Sequence, residues 1–288
     1  MRLSAIISVA ALLAVGCGDK DSDDSAADDS SADDSAADDS SADDTASDDT
    51  GSEGQCGMQL DADAQLSGTV RDASGSPVAG AQVQLCWKVC RQEISGSDGG
   101  FSFSAAEPWT HALKIYPEGW VGGSTAVFML PMTLAAGGNS IDVVLPEFTA
   151  WATIPASTPA ELDLDGLLVT TSLAELDLGF GVDTDQAGGV HVPESDWPAD
   201  WMLPAEATGT VVGAWYTHPY GAIAEGGMPT RVVDPGGDAT SYQLWEAFWH
   251  VETCEVVWEN AGSLTANGDH LEGDAALHEF TTVLLLAQ

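Results

Sequence analysis

The residues that could do acid–base or metal chemistry are spread thinly along this 288-residue chain. No two of its six histidines stand in an HxH or HExxH arrangement, although His278-Glu279 forms an isolated pair. Because a metal site needs convergent ligands, we expect the histidines to be exposed or satisfied by ordinary contacts, with no metal or cofactor. They are His111, His191, His218, His250, His270 and His278.

Motifs for nucleophilic or nucleotide chemistry do not occur in the sequence. The chain has no G-x-S-x-G elbow, no P-loop and no dinucleotide fingerprint. Pairs of carboxylates are common in so acidic a chain, and they therefore do not identify a glycosidase. The sequence predicts a protein that is not an enzyme, and a hydrolase with a scattered site is the less favoured alternative.

Two acidic segments could offer oxygen ligands to Ca²⁺. In Asp163-Leu164-Asp165-Gly166 the twelfth position counted from Glu161 is Ser172 rather than a glutamate, which argues against an EF-hand. Asp183-Thr184-Asp185 is a denser oxygen cluster, but capping of a turn by aspartate explains it more simply. We expect the first segment to belong to a strand, because Leu162, Leu164, Leu167 and Leu168 surround its aspartates, and the second to be a capped turn.

Aromatic side chains give the strongest indication of a ligand. All ten tryptophans follow residue 86, and Trp245 and Trp249 are four residues apart, so that on a strand both point to one side. Together with Trp215 they could stack on sugar faces, which makes a carbohydrate-binding accessory module the alternative function. The commoner use of such rings is to fill the core of a β-sandwich.

The cysteines predict disulfide bonds. Cys56, Cys86, Cys90 and Cys254 remain after Cys17, and an even number in an exported chain allows three pairings. Along one strand Cys86 and Cys90 would lie about 13 Å apart, so they can pair only if the residues between them turn the chain back. The surrounding sequence predicts a hairpin tip, which favours Cys86–Cys90 and, by elimination, Cys56–Cys254.

Residues 1–16 are typical of an export signal. Arg2 precedes a 13-residue apolar run, Leu3–Val15, which is shorter than the about 20 residues of a membrane-spanning helix. The run leads into Leu13-Ala14-Val15-Gly16-Cys17, which resembles the lipobox of bacterial lipoproteins. The resemblance implies an acylated Cys17 anchored in a lipid bilayer, and Gly18 favours the outer membrane, with a periplasmic or surface-facing protein. An ordinary cleaved signal is the alternative.

Residues 17–55 predict a disordered acidic tether. The ten-residue unit DDSAADDSSA occurs twice, and 15 acidic residues lie between Asp19 and Glu53 without an apolar side chain larger than alanine. Such a tract buries too little surface to offset its conformational entropy. We interpret it as a spacer between the lipid and the folded part. Weak cation buffering, modification of its serines and a surface-export signal are alternatives.

The net charge of −39 at pH 7 limits the partners of this protein. Such an acidic chain repels phosphate backbones and anionic membrane faces. We therefore expect no nucleic-acid partner, and we expect the partner to be a protein or a glycan outside the cell.

Residues 56–147 predict a β-sandwich. Alternating segments such as Ala81-Gln82-Val83-Gln84-Leu85 are separated by turns, without a helical period. Three ordered motifs, Ser67–Asp72, Gly75–Val83 and Ser97–Phe103, resemble those of the carboxypeptidase regulatory-like domain. That resemblance implies a seven-stranded, immunoglobulin-like or prealbumin-like sandwich of the kind that usually serves as a non-catalytic accessory module. It assigns no functional residue, because the shared positions shape turns and core.

Residues 148–288 keep the β character but resemble no known family. We expect a second sandwich or small barrel packed on the first, or else one continuous larger β structure. The predicted strands are Thr149–Ile154, Leu167–Thr171, Gly209–Thr217, Gln243–Val251, Glu255–Glu259 and Phe280–Leu286. The whole sequence thus predicts an all-β, membrane-anchored lipoprotein that acts as a structural or adhesive binding module.

Overall fold

A computed structural model describes residues 55–117, 123–179 and 182–288 of the chain. The predicted signal segment, Cys17 and nearly all of the acidic tether lie outside these residues. The described residues form strands, turns and short 3₁₀ segments with no α-helix, which confirms the all-β prediction. In these ranges no helix has the length and apolarity to cross a bilayer.

The first seven strands form two small sheets. One sheet has the order β4-β1-β7 and the other has the order β3-β2-β5-β6, with β1 and β7 parallel. This strand count agrees with the one that the family resemblance implies, while membership of the family stays a prediction. The strands are β1 (Ala64–Asp72), β2 (Gln82–Cys86), β3 (Cys90–Ile94), β4 (Gly100–Ala106), β5 (Thr110–Tyr116), β6 (Phe128–Thr133) and β7 (Gly137–Leu145).

Alternation of side chains explains how these strands build a core. In β4, Phe101 and Phe103 are buried while the serines between and after them are exposed, as the two-residue period of a strand requires. Gly68 lies opposite Phe101 in the ladder, and a Cβ there would come 2.6 Å from that ring. A glycine is therefore needed at position 68 for the ring to pack across β1.

The remaining strands form one long sheet. Its order is β8-β11-β12-β18-β14-β15-β16-β13-β10-β9, and β17 pairs with β13. The strands are β8 (Ala150–Thr153), β9 (Ala160–Leu164), β10 (Leu167–Thr171), β11 (Gln186–His191), β12 (Thr210–His218), β13 (Ile223–Val233), β14 (Ser241–His250), β15 (Glu255–Asn267), β16 (His270–Gly273), β17 (Ala276–Glu279) and β18 (Thr282–Ala287).

The long sheet curls until its two end strands, β8 and β9, meet. Asp165 holds this closure, because its carboxylate accepts hydrogen bonds from the Thr149 hydroxyl (2.7 Å) and the His191 backbone N–H (2.8 Å). Gly189 allows the approach, since a Cβ there would lie 2.5 Å from the Cβ of Leu164. The sheet therefore encloses its own core, which includes Leu164 and Trp215.

A second apolar core joins the sandwich to the outside of the long sheet. It contains buried side chains from both parts, among them Phe128 of β6, Tyr216 of β12 and Leu284 of β18. The rings of Phe128 and Tyr216 meet edge to face with centroids 5.5 Å apart. This core spans the predicted boundary at residues 147/148, so the two regions pack as parts of one compact unit.

Candidate functional site

The four described cysteines lie at disulfide distance in the pairing that the sequence favours. The sulfurs of Cys56 and Cys254 are 2.07 Å apart, and those of Cys86 and Cys90 are 2.05 Å apart. Cys86 ends β2 and Cys90 begins β3, so the three residues between them form the expected hairpin tip. The lipidation site, Cys17, lies outside the described residues.

The first acidic segment lies where β9 turns into β10, as its leucines predict, and the second lies in the loop before β11. Asp163 accepts a hydrogen bond from the backbone N–H of Gly166 (2.8 Å) in the two-residue connection between β9 and β10. The Gln186 side chain donates to Asp185 (2.8 Å) next to the start of β11. Asp163 and Asp185 therefore serve local structure, and Asp165 closes the sheet.

Two of the three tryptophans predicted to stack on a glycan are core residues. Trp215 and Trp245 are each only 3% exposed, so neither offers a ring face to a ligand. The indole N–H of Trp215 donates to the carbonyl of Asp165 (3.0 Å), and that of Trp245 donates to Gln243 (3.3 Å). The stacking role predicted for this pair is wrong. Each ring is buried in one of the two apolar cores, whereas stacking on a sugar requires a ring at the surface.

The third, Trp249, is half-buried and lines a small cavity. The cavity measures about 210 Å³, and its walls include Tyr116, Tyr220, Trp249 and the end of β17. The ammonium group of Lys114 lies 4.5 Å from the centre of the Trp249 ring and 5.4 Å from that of Tyr220. Cation–π contacts with Lys114 therefore occupy the Trp249 ring that the sequence assigned to sugar.

A buried carboxyl faces the same cavity. Glu279 is more than nine-tenths buried, and burial raises its pKa above the ordinary value, although the nearby Lys114 ammonium opposes that shift. Burial also lowers the pKa of Lys114. The charged forms of Lys114 and Glu279 therefore stabilise each other where little solvent reaches them. Functional sites and structural ion-pair networks both shift pKa values in this way.

Next to Glu279, four titratable side chains that the sequence does not group lie together. The Glu246 carboxylate accepts hydrogen bonds from the backbone N–H groups of His278 (2.9 Å) and Glu279 (3.0 Å), and it lies 2.9 Å from Nδ1 of His278. On the neighbouring strand Glu259 pairs with His250. Burial raises the pKa of Glu246, and the hydrogen bonds from His278 and Glu279 partly offset this shift.

Trp151, which the sequence did not single out, is the most exposed tryptophan, tyrosine or phenylalanine of the described residues, at 46%. It lies on β8, at an end of the long sheet, directly opposite Gly188 of β11. Its six-membered ring covers this glycine, because a Cβ at position 188 would lie 3.0–3.2 Å from three of the ring atoms. Phe148 and His218 meet the ring at centroid distances of 5.2 and 5.5 Å. The ring thus packs on Gly188 and two neighbouring rings, while nearly half of the residue's surface stays exposed.

Polar groups continue the same face of this ladder. Thr153 is the next residue of β8 on that face, about 7 Å along the strand from Trp151, and it lies opposite Gln186. The Gln186 amide donates to the Thr153 hydroxyl (3.2 Å) and to the carboxylate of Asp185 (2.8 Å). We call Trp151, Thr153, Asp185 and Gln186 the edge stripe. It combines an open ring with a hydroxyl, an amide and a carboxylate.

Comparisons with known proteins add little to this picture. No family model and no curated protein matches the chain. Among solved structures, it is similar to a protein from Bacteroides uniformis provisionally named as carbohydrate-binding, with 12% identity and a TM-score of 0.26 over 78% of this chain and 80% of that one. At this TM-score the similarity supports no statement about the present protein.

Proposed function

We propose that this protein is an exported, membrane-anchored binding module without catalytic activity, and that its edge stripe binds a glycan. The observation that carries the proposal is the ring of Trp151, which is 46% exposed and is backed by Gly188. An aromatic ring with one open face matches the apolar face of a sugar ring. Contacts with Phe148 and His218 hold it in place, so little rotamer entropy is lost on binding.

The polar members of the edge stripe supply the second element of sugar recognition. A pyranose stacked on Trp151 projects hydroxyl groups from its rim, and these groups need donors and acceptors nearby. Thr153 and Asp185 are exposed and lie on the side of the ring where the strand continues. A carboxylate, an amide and a hydroxyl in one row satisfy both kinds of partner.

Anchoring belongs to the same proposal and is supported by the residues around Cys17 and by the cysteine pairs. Disulfides persist in oxidising compartments outside the cytoplasm, which agrees with an exported chain. The acidic tether then separates the edge stripe from the lipid. Intact-mass analysis of protein from its own host tests the anchor: acyl chains on Cys17 support it, and an unmodified or missing cysteine contradicts it.

Binding of the full chain to a glycan array, followed by titration calorimetry with the strongest ligand, tests the glycan site. Trp151→Ala should weaken binding about 5- to 30-fold, because loss of the stacking contact and of its buried apolar area costs about 1–2 kcal/mol. Thr153→Val should weaken it less. Val89→Ala is the matched control, since Val89 is also exposed and apolar but lies at the tip of the β2–β3 hairpin.

Two outcomes would contradict the glycan site. One is an array without any saturable signal from correctly folded protein. The other is a ligand whose affinity is the same for Trp151→Ala, Val89→Ala and the unchanged chain. If the edge stripe captures a protein partner and no glycan binds, the glycan site is wrong and the protein has the adhesive role that the sequence predicts.

A further inference from the structure

Three strands of the long sheet bring a histidine and two glutamates to one point. Glu246 of β14 and Glu259 of β15 are direct partners in the antiparallel ladder, and His278 of β17 packs against Glu246. One ligand atom from each of these three residues can be chosen so that all lie within 4.8 Å of one another. We propose that these three side chains form a binding site for a divalent transition metal, of which Zn²⁺ is the representative.

The distances suit such an ion. Zinc bonds to nitrogen and carboxylate oxygen are about 2.0–2.2 Å long, and a tetrahedral arrangement places neighbouring ligand atoms about 3.4 Å apart. The observed separation between His278 Nδ1 and the nearer Glu246 oxygen is 2.9 Å, and no two of the chosen ligand atoms lie more than 4.8 Å apart. Shifts below about 1 Å, within the reach of side-chain torsions, convert the hydrogen-bonded cluster into a coordination shell.

The surroundings fix the ligands before an ion arrives. Glu246 has no exposed surface, and the backbone N–H groups of His278 and Glu279 hold its carboxylate in place. His250 is hydrogen-bonded to Glu259 through Nε2 and orients that carboxylate from the other side. Contacts of this kind around the direct ligands set their geometry and raise metal affinity.

Charge gives an independent reason for a cation at this point. Glutamates that face each other directly across a ladder repel, and a buried carboxylate needs a compensating charge. Glu279 adds a third carboxyl nearby, and it interacts with the ammonium group of Lys114. A divalent ion between Glu246 and Glu259 would relieve the repulsion between these two facing carboxyl groups.

The ligand types favour zinc-like ions over calcium. Ca²⁺ takes six to eight oxygen ligands, whereas an imidazole together with carboxylates suits Zn²⁺ and its neighbours. The side chain of His278 is 45% exposed and that of Glu259 is 33% exposed, so the ion can enter from solvent and keep a water molecule.

Titration calorimetry of the EDTA-treated full chain with ZnCl₂ tests this site. The unchanged protein should bind one Zn²⁺ saturably, and His278→Gln and Glu259→Gln should each weaken binding at least tenfold. His270→Gln is the matched control, because His270 is also a half-buried strand histidine but does not belong to the cluster. The acidic tether is the same in all four proteins, so its weak cation binding cancels in the comparison.

A second measurement separates loss of the site from loss of the fold. Far-UV circular dichroism and the thermal midpoint without metal should be nearly the same for Glu259→Gln and the unchanged chain, since Glu259 is one-third exposed. Co²⁺ should give visible d–d bands with the unchanged protein and not with His278→Gln. The proposal is overturned if folded, unchanged protein shows no saturable Zn²⁺ binding, or if the cluster variants bind Zn²⁺ as the control does.

Discussion

A tryptophan on a strand can fill a core or present its ring to solvent, and the residue across the ladder helps to decide which. Trp151 faces Gly188, so its ring lies down over bare backbone and stays partly in water. Trp215 faces Val283 and lies inside the closed sheet. Sequence spacing indicates only the side of the strand to which each ring points, and for this reason the stacking set could not be predicted correctly.

The three residues of the proposed metal site also could not be grouped from the sequence. His278-Glu279 is visible in the sequence as an isolated pair, but Glu246 and Glu259 come from strands that begin 35 and 21 residues earlier than β17 (Ser241, Glu255 and Ala276). No local spacing links the three. Only the pairing of β14 with β15 and the position of β17 bring them together.

His218 makes a pH-dependent contribution to stability. Burial against Phe148 and Trp151 lowers the pKa of His218 below its usual value near 6.5, so the folded state keeps the imidazole neutral where the unfolded chain takes up a proton. Stability should therefore fall as the pH decreases through about 6.5, and this contribution should level off below the folded-state pKa.

Urea denaturation at pH 7 and pH 5 measures this effect. His218→Gln, which cannot take up a proton in this range, should lose less stability between the two pH values than the unchanged chain does. His270→Gln is the control, and it should keep the full difference. Equal pH dependence in His218→Gln and the unchanged protein would show that His218 titrates alike in both states.

At the scale of elements, alternation and turns predict the strands well where apolar and β-branched residues dominate. Leu167–Thr171 was predicted with the bounds of β10, and the predicted hairpin at Cys86–Cys90 joins β2 to β3. Strands rich in glycine or proline were missed, among them β11 with Gly188-Gly189 and β13 with Gly226-Gly227. Glycine normally weakens strands, and here tight contacts with neighbouring residues account for its use at positions 188 and 189.

Closure of the long sheet depends on one such glycine. A Cβ at position 189 would meet the Cβ of Leu164 at 2.5 Å and its carbonyl oxygen at 2.7 Å, so Gly189→Ala should push β9 away from β11. We expect a loss of about 1–3 kcal/mol in the free energy of unfolding, measured by urea denaturation.

Gly138→Ala is the matched control for this substitution. Gly138 also lies in a strand, and a Cβ there meets no atom within 4 Å. Its cost should stay within about 0.5 kcal/mol. If both variants lose the same stability, the contact between β9 and β11 does not limit the packing of this sheet.

For the whole molecule, the decisive feature is the apolar core shared by the sandwich and the long sheet. It joins residues on both sides of position 147, so the sandwich and the long sheet form one compact unit. Sequence patterns cannot reveal this, because an apolar side chain that faces its own partner sheet looks the same as one that faces a neighbouring sheet. The net charge of the chain, by contrast, follows directly from its composition.

The two disulfides should contribute unequally to the stability of this unit. Cys56–Cys254 closes a loop with a sequence separation of 198, whereas Cys86–Cys90 spans 4. The loop-entropy model then gives about 5 kcal/mol for the first and about 2 kcal/mol for the second. Calorimetry of the double variants Cys56→Ser/Cys254→Ser and Cys86→Ser/Cys90→Ser checks this order, and a larger loss from the second pair would contradict it.

The most direct test of the glycan-binding claim is to follow all ten tryptophan indole N–H signals by NMR while a glycan from the array is added to the ¹⁵N-labelled full chain. The signal that disappears in Trp151→Phe should shift most and saturate, while those of Trp215 and Trp245 stay nearly unchanged. A titration in which the Trp151 signal does not move, or in which another indole responds alone, would contradict the account.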